Sequence, residues 1–225
     1  MTGRAAERPR SRVHFGAARR KMVSLLVQKG ITDARLLEAM ASVPRHVFAP
    51  EGLEWKAYEE IALPLVRGQT LSSPLTVARM LQALELDGGG PILEVGTGSG
   101  YQSALLAALA GPVFTIERIA ELAETARERL RSLGIERVNF RVGDGSLGWR
   151  EFAPYRAIVV SAGSPAIPEP LVAQLADGGR LVAPVGERDA QEILLVRRDG
   201  DRTQTARLGG ALFVPLIGRA GWRTA

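Results

Sequence analysis

The sequence contains no cysteine and only two histidines among its 225 residues. Without cysteine there are no disulfides, no thiolate metal sites and no cysteine nucleophile. The longest apolar run, around residues 104–114, is interrupted by Gly111-Pro112 and is too short to span a bilayer. No secretory signal is visible in the first residues. We therefore expect a cytoplasmic protein that does not associate with membranes.

Acidic residues are almost absent from the first 21 positions, although the net charge of the whole chain is only +5. In this stretch Glu7 stands against a set of basic side chains: Arg4, Arg8, Arg10, Arg12, Arg19, Arg20 and Lys21. A basic tail can bind nucleic acid electrostatically, but no aromatic residues alternate with these arginines to stack on bases. We expect residues 1–15 to be a disordered tail, and no nucleic-acid partner.

A glycine-rich turn, Gly96-Thr97-Gly98-Ser99-Gly100, follows the short apolar run from Ile92 to Val95. The pattern predicts a buried parallel strand, a tight loop and a helix over 103–110. Glycine lets the backbone approach a ligand closely, and amides at a helix N-terminus favour an anionic group. A dinucleotide fingerprint would place its third glycine at Tyr101. The E-x-G-x-G-x-G form beginning at Glu94 instead resembles motif I of the class I S-adenosylmethionine-dependent methyltransferases; a plain turn is the alternative.

Predicted strands and helices alternate after the loop. We predict strands over 113–117, 138–142, 157–161 and 180–184, helices over 119–133 and 168–175, and a late strand pair over 192–197 and 211–216. This order predicts an α/β fold with a doubly wound, mostly parallel, Rossmann-like sheet that binds ligands at the carboxyl ends of its strands. Residues 16–87 are predicted to be a helical extension that forms one compact unit with the α/β core, residues 88–225.

Carboxylates stand at the ends of the second and third predicted strands. Glu117 is placed to accept the hydroxyl groups of a ribose, although a solvated carboxylate beside Arg118 is the alternative. Asp144, between Gly143 and Gly145, could accept a hydrogen bond from an adenine amino group, and a simple turn aspartate is its alternative. Together with the glycine-rich loop, these groups would contact the three parts of S-adenosylmethionine.

The segment Gly68-Gln69-Thr70-Leu71-Ser72-Ser73-Pro74 is similar to the protein-L-isoaspartate O-methyltransferase family. Further stretches share the resemblance, which runs from about Arg19 to Trp222: Val43-Pro44-Arg45-His46, Ala57-Tyr58-Glu59, Val142-Gly143-Asp144-Gly145, residues 175–182 and Phe213-Val214-Pro215-Leu216. The resemblance implies methyl transfer from S-adenosylmethionine to the α-carboxylate of L-isoaspartyl residues in damaged proteins and peptides. The resulting ester then closes to a succinimide, and the enzyme is expected to be a monomer.

The resemblance also implies roles for individual residues. Ser72 corresponds to the active-site serine, and no metal is required. The implied cofactor contacts are Thr70, Ser72, Glu94, Gly96, Gly98, Gly100, Glu117, Arg118, Gly143, Asp144 and Gly145.

The reaction that the resemblance implies needs neither cysteine nor histidine, the residue types that this sequence lacks or nearly lacks. An isoaspartyl carboxylate has a pKa of about 3 to 4, so it is already a nucleophile at neutral pH. Catalysis is then a positioning task, for which a hydroxyl such as Ser72 suffices without a general base. His14 lies in the tail, and His46 is more simply a packed loop histidine than a substrate contact.

Several positions depart from the family pattern. Arg156 stands where an aspartate is usual, Glu60 where aspartate is usual and Val66 where glycine is usual, and these changes leave the choice of substrate open. Ser73, directly after Ser72, makes the assignment of the reactive serine ambiguous. The alternatives are a methyltransferase for another carboxylate or for nucleic acid, an NAD-dependent oxidoreductase, and a binding module without activity. Tyr101 argues against the oxidoreductase, because a dinucleotide fingerprint would have its third glycine at that position.

Overall fold

A seven-stranded sheet forms the centre of the computed structural model, which describes residues 15–223. Its strands and a separate two-stranded hairpin are β1 Leu63–Pro64, β2 Thr70–Leu71, β3 Ile92–Val95, β4 Val113–Glu117, β5 Val138–Val142, β6 Tyr155–Val160, β7 Leu175–Gly186, β8 Gln191–Asp199 and β9 Arg202–Ala211. The expected basic tail, residues 1–15, lies outside the described residues except for Phe15. His14 also lies outside them.

Six α-helices accompany the strands within residues 15–223. They are α1 Gly16–Gln28, α2 Ala34–Ser42, α3 Pro74–Ala83, α4 Tyr101–Leu109, α5 Ala120–Ser132 and α6 Glu169–Val172. None of these helices combines the length and the apolar character that crossing a membrane requires.

The sheet confirms the predicted doubly wound topology. The strand order is β5-β4-β3-β6-β7-β8-β9, and the first five of these strands run parallel, whereas β8 and β9 join in antiparallel fashion. β3 is the middle one of the five parallel strands and lies between β4 and β6, where the chain order reverses. In open α/β sheets a ligand binds in the crevice at such a reversal, outside the carboxyl ends of the strands.

Local chemistry accounts for the boundaries of the N-terminal helices. Asp33 caps α2 by accepting the Leu36 N–H at 3.1 Å, and Ser73 caps α3 ahead of Pro74. α3 ends at Ala83, and Glu85 then adopts a left-handed φ of 46°. A non-glycine residue in that conformation cannot continue a right-handed helix.

The last strand differs from the prediction. β9 covers Arg202–Ala211, an edge strand whose residues are nearly all exposed, rather than the apolar stretch 211–216. An edge strand needs pairing on one side only and need not bury its side chains, so apolar patterning does not reveal it. The apolar stretch instead leaves the sheet, and the Leu216 N–H bonds to the Gly163 carbonyl at 2.7 Å.

One hydrophobic cluster joins the N-terminal helices to the sheet. Leu26 of α1, Met40 of α2 and Leu81 of α3 are buried in the same cluster as Ile92 of β3 and Val159 of β6. Burial of such side chains is worth roughly 1.5 to 3 kcal/mol each. The segment before β3 is therefore held against the sheet, beside the carboxyl ends of β3 and β4.

Candidate active site

A cavity lies at the carboxyl ends of β3, β4 and β6. It holds about 840 Å³ of space free of protein atoms, its open mouth included. Its wall is made by Gln69, Thr70, Leu71, Ser72, Val77, Val95, Gly96, Thr97, Gly98, Ser99, Tyr101, Gln102, Ile116, Glu117, Arg118, Ile119, Gly145, Ser161, Ala162, Val214, Pro215, Leu216 and Ile217. Segments far apart in the sequence therefore share one surface, and that surface is mixed in polarity.

The glycine-rich loop forms one wall with backbone rather than side chains. Gly96 has a φ of 92°, and a Cβ there would lie 3.4 Å from the Cβ of Ser161. Gly98 has a φ of 53° and also faces the cavity. Gly100 serves a different purpose, because a Cβ there would lie 3.1 Å from the Cβ of Ala126 in α5. The structure therefore places Gly100 behind the wall, where it lets α4 and α5 approach each other.

Glu94 lies beneath the loop and does not face the cavity, contrary to the direct contact that we expected. Its carboxylate is wholly buried and accepts hydrogen bonds from Ser103 Oγ, from Thr115 Oγ1 at 2.8 Å and from Gln102 Nε2 at 3.0 Å. Burial raises the pKa of Glu94 to about 7, against these hydrogen bonds. Glu94 thus joins β3 to β4 and α4 and orients Gln102, which does line the cavity.

Glu117 joins the end of β4 to the loop. Its buried carboxylate accepts the Gly98 N–H at 2.9 Å through one oxygen and the Ile119 N–H at 3.0 Å through the other. Each carboxylate oxygen has a second lone pair, so the group can accept two further hydrogen bonds from the cavity. Arg118, the next residue, is exposed at the rim.

Asp144 lies in an adjoining cavity that shares Arg118 and Ile217 with the first. Its carboxylate accepts from Ser146 Oγ at 2.6 Å and from the Arg219 N–H at 2.8 Å. Partial burial acts to raise the pKa of Asp144, but these hydrogen bonds outweigh it and lower the pKa. The group is therefore an ionised acceptor at neutral pH.

The two adjacent serines have different surroundings. Ser72 lines the cavity, between β2 and α3. Ser73 does not: its Oγ bonds to Glu60 Oε1 and to Thr76 Oγ1 at 3.1 Å, and it caps α3. Ser72 is therefore the one of the two serines that lines the cavity, and its role as the reactive serine stays a prediction.

The predicted site residues fall into three groups. Those on the cavity wall are Thr70, Ser72, Gly96, Gly98, Glu117, Arg118 and Gly145. Gly143 and Asp144 line the adjoining cavity, and Glu94 and Gly100 support the wall from behind. His46 is packed elsewhere, stacked on Phe15 with ring centroids 4.0 Å apart and bonded to Tyr58.

Sequence reasoning missed two parts of the wall. Ser161 directly follows β6, so its place at the carboxyl end of a strand was a usable signal. The C-terminal segment, residues 214–217, was noted for its family resemblance and partly predicted as a strand, but it was not expected at the cavity. It is held there by Gln191, whose buried amide donates to the Phe213 carbonyl at 3.1 Å and accepts the Phe213 N–H at 2.9 Å.

The three residues that depart from the family pattern, Glu60, Val66 and Arg156, do not line the cavity. Glu60 accepts the Leu75 N–H at 2.9 Å and so helps to cap α3. Val66 is exposed beyond β1. Arg156 pairs with Asp87 at 3.3 Å, which ties the loop before β3 to β6.

Comparison with known proteins points to one family. Residues 17–221 match the family model described as Protein-L-isoaspartate(D-aspartate) O-methyltransferase (PCMT). A protein-L-isoaspartate O-methyltransferase of Dictyoglomus thermophilum is 50% identical over 205 residues, which are 91% of this chain and 93% of that protein. Protein-L-isoaspartate O-methyltransferase 1 of Syntrophobacter fumaroxidans is 51% identical over 211 residues, 93% of this chain and 99% of that protein.

Solved structures agree with the fold. A protein-L-isoaspartate O-methyltransferase superposes with a TM-score of 0.81 at 29% identity, covering 90% of this chain and 67% of that one. A Plasmodium falciparum protein in complex with S-adenosyl-L-homocysteine superposes with a TM-score of 0.76 at 23% identity, covering 88% of this chain and 98% of that one.

Proposed function

The chain belongs to the protein-L-isoaspartate O-methyltransferase family, and we propose that its cavity transfers a methyl group from S-adenosylmethionine to the α-carboxylate of L-isoaspartyl residues in damaged proteins and peptides. The ester so formed starts repair by closing to a succinimide. One observation carries this proposal: the segment Gln69 to Ser72 and the glycine-rich loop line the same cavity.

The residues present fit S-adenosylmethionine. Gly96 and Gly98 leave backbone at the wall where side chains would obstruct a ligand. Glu117 retains free lone pairs toward the cavity, as a ribose requires, and Asp144 offers an ionised acceptor next to it. When bound, S-adenosylmethionine supplies an electrophilic methyl group. Thr70, Arg118, Gly143 and Gly145 complete the proposed cofactor contacts.

Ser72 carries the proposed catalytic role. The acceptor carboxylate is ionised at neutral pH, since its pKa is about 3 to 4, and needs no proton removed. The Ser72 hydroxyl donates to one carboxylate oxygen and so directs the other toward the methyl group. Such positioning is the main source of rate enhancement where the nucleophile is already formed.

The proposal extends to the setting of the enzyme. We propose a cytoplasmic monomer whose partners are isoaspartyl proteins and peptides and which does not act on nucleic acid. We further propose that residues 16–87 and the core from residue 88 work as one unit, a view supported by the hydrophobic cluster that α1, α2 and α3 share with the sheet.

A paired-peptide assay tests the activity. The purified protein is incubated with labelled S-adenosylmethionine and with two peptides that differ only in isoaspartate or aspartate at one position. We expect base-labile label on the isoaspartyl peptide alone, because carboxyl methyl esters hydrolyse in base. Label on nucleic acid, on another carboxylate, or on neither peptide would reject the proposed function.

A further inference from the structure

Arg45 is a wholly buried cation beside the proposed active site. It begins the short 3-10 helix Arg45–Phe48 and has 0% of its surface exposed. A guanidinium remains charged even where burial lowers its pKa, as it does here. A buried charge is costly unless it is well paired, so its partners indicate what it does.

The partners of Arg45 are backbone carbonyls and an aromatic ring. Nε donates to the Ala57 carbonyl at 2.6 Å, and Nη2 donates to the Ser72 carbonyl at 2.6 Å. The guanidinium carbon lies 4.7 Å from the centre of the Tyr101 ring, close enough for a cation–π interaction. Among residues 15–223, no carboxylate forms an ion pair with Arg45.

These contacts connect two segments that line the cavity. Ser72 lies outside any helix or strand, between β2 and α3. Tyr101 is the first residue of α4 after the glycine-rich loop. The guanidinium therefore sets the distance between the backbone of Ser72 and the loop that would hold the cofactor.

The contact with Ser72 acts on its side chain. A hydrogen bond to the Ser72 carbonyl fixes the peptide plane between Ser72 and Ser73, while the Ser73 cap and Pro74 fix the chain that follows. On the N-terminal side, Leu71 pairs with Leu63 in the hairpin of β1 and β2, so the direction of the Ser72 Cα–Cβ bond is determined from both sides. A rigid hydroxyl matters because a displacement of about 1 Å can reduce a rate by about a hundredfold.

Stability alone does not explain this arrangement well. The Nη1 atom of Arg45 and the hydroxyl of Tyr101 are both buried, and neither has a hydrogen-bond partner within the described residues. Leaving a buried donor unsatisfied lowers stability. Arg180 is also buried and also has one donor, Nε, without a partner, but it differs from Arg45 because it forms an ion pair with Glu85 and lies away from the cavity wall, where it donates to the Ala83 carbonyl at 3.1 Å.

We propose that Arg45 is a positioning residue for methyl transfer, which acts through Ser72 by holding its backbone at a fixed place relative to the glycine-rich loop. This inference rests on the proposed function. A lysine would keep the charge but could not donate to both carbonyls while its charged group lies over the Tyr101 ring, because only the guanidinium has donors in a rigid fork.

The test compares Arg45→Lys with Arg180→Lys in the full-length chain. For R45K we expect kcat on the isoaspartyl peptide to fall by about tenfold to a hundredfold, with calorimetric affinity for S-adenosylhomocysteine within about threefold of the wild type, a change of under 1 kcal/mol. R180K is expected to lower the Tm while leaving kcat unchanged.

A double-mutant cycle shows whether Arg45 acts through Ser72. In a Ser72→Ala background R45K should change kcat little further, because residues that act as a unit are not additive. An equal loss of kcat in both backgrounds would overturn the proposal. So would a loss of S-adenosylhomocysteine affinity that parallels the loss of kcat, or an R180K variant that is equally impaired in kcat.

Two other outcomes are also decisive. If R45K does not fold, a backbone variant takes its place in the test, in which an ester replaces the Ser72–Ser73 amide. The ester weakens the Ser72 carbonyl as a hydrogen-bond acceptor and keeps every side chain. Its kcat should then fall, and an unchanged kcat would contradict the role of Arg45.

A wild type without activity on isoaspartyl peptides would refute the proposed function itself, whereas an active wild type with an unimpaired R45K would refute only the role of Arg45.

Discussion

The Glu117 carboxylate and the Gly98 amide are joined by a hydrogen bond of 2.9 Å. One residue ends β4 and the other lies in the glycine-rich loop after β3, so this bond ties two neighbouring strand ends together at the cavity. The second Glu117 oxygen accepts the Ile119 N–H and thereby fixes the start of α5. Glu117 therefore shapes the wall that it is also proposed to use for cofactor binding.

Glu117→Gln should weaken cofactor binding. The amide nitrogen cannot accept a backbone N–H, so one buried donor loses its partner and the proposed ribose contact is disturbed. We expect the affinity for S-adenosylhomocysteine, measured by calorimetry, to fall by about tenfold or more, since hydrogen bonds to charged groups contribute roughly 1.5 to 3 kcal/mol.

Glu121→Gln is the matched control for that change. Glu121 is exposed and pairs with exposed Arg67 at 3.2 Å, an interaction of little energetic weight. Its affinity for S-adenosylhomocysteine should match that of the wild type. Equal losses in both variants would show that general charge, rather than the contacts of Glu117, sets the affinity.

The two adjacent serines should behave differently when each is replaced by alanine. Ser72→Ala is expected to lower kcat on an isoaspartyl peptide with little change in S-adenosylhomocysteine affinity, because Ser72 lines the cavity and its hydroxyl is proposed to position the acceptor carboxylate. Ser73→Ala should instead lower the unfolding free energy by about 1 kcal/mol through loss of the α3 cap. Steady-state kinetics and thermal unfolding of both variants separate the roles, and a larger kcat loss for S73A would reverse the assignment.

Glu94 should make stability depend on pH. Burial raises its pKa to about 7 in the folded chain, whereas an unfolded glutamate has a pKa of about 4.3. The folded state therefore holds the proton more tightly, so the stabilising contribution is complete below about pH 4.3 and is lost as the pH rises through about 7.

Glu94→Gln should remove this dependence. Relative to E94Q, the wild type should lose on the order of 1 to 3 kcal/mol of unfolding free energy between pH 5 and pH 8. Chemical denaturation at a series of pH values measures the difference. Exposed Glu128→Gln serves as the control, and a wild-type minus E94Q difference that does not vary with pH would contradict the expected shift.

Gly100→Ala should destabilise the fold more than an alanine at another left-handed glycine. Gly100 has a φ of 89°, and its added Cβ would lie 3.1 Å from that of Ala126. Gly134 has a φ of 70° but open space around its added Cβ, so Gly134→Ala carries the backbone strain alone, about 1 kcal/mol. Thermal unfolding should show a larger loss for G100A, and equal losses would mean that α5 adjusts to the extra methyl.

The positions of most elements followed from the sequence because their causes are local. The caps at Asp33 and Ser73 and the run Ile92–Val95 depend on residues adjacent in the chain. β9 was misplaced because it is a polar edge strand, whose pairing with β8 supplies what its side chains do not indicate. The cavity wall was predicted in the same uneven way: Glu117 was foreseen at a strand end, but the C-terminal segment was predicted as a strand over 211–216 and not as part of the wall.

By itself the sequence determined the glycine-rich loop, the alternation of strands and helices, and the segment that identifies the family. Each of these depends on backbone conformation and burial over a few consecutive residues. Only the tertiary structure decided that Ser72 rather than Ser73 faces the cavity, that Glu94 points beneath the loop, and that Arg45 holds Ser72. Those outcomes depend on side-chain direction and on contacts between residues far apart in the chain, such as the 27 positions between Arg45 and Ser72, which only packing can bring together.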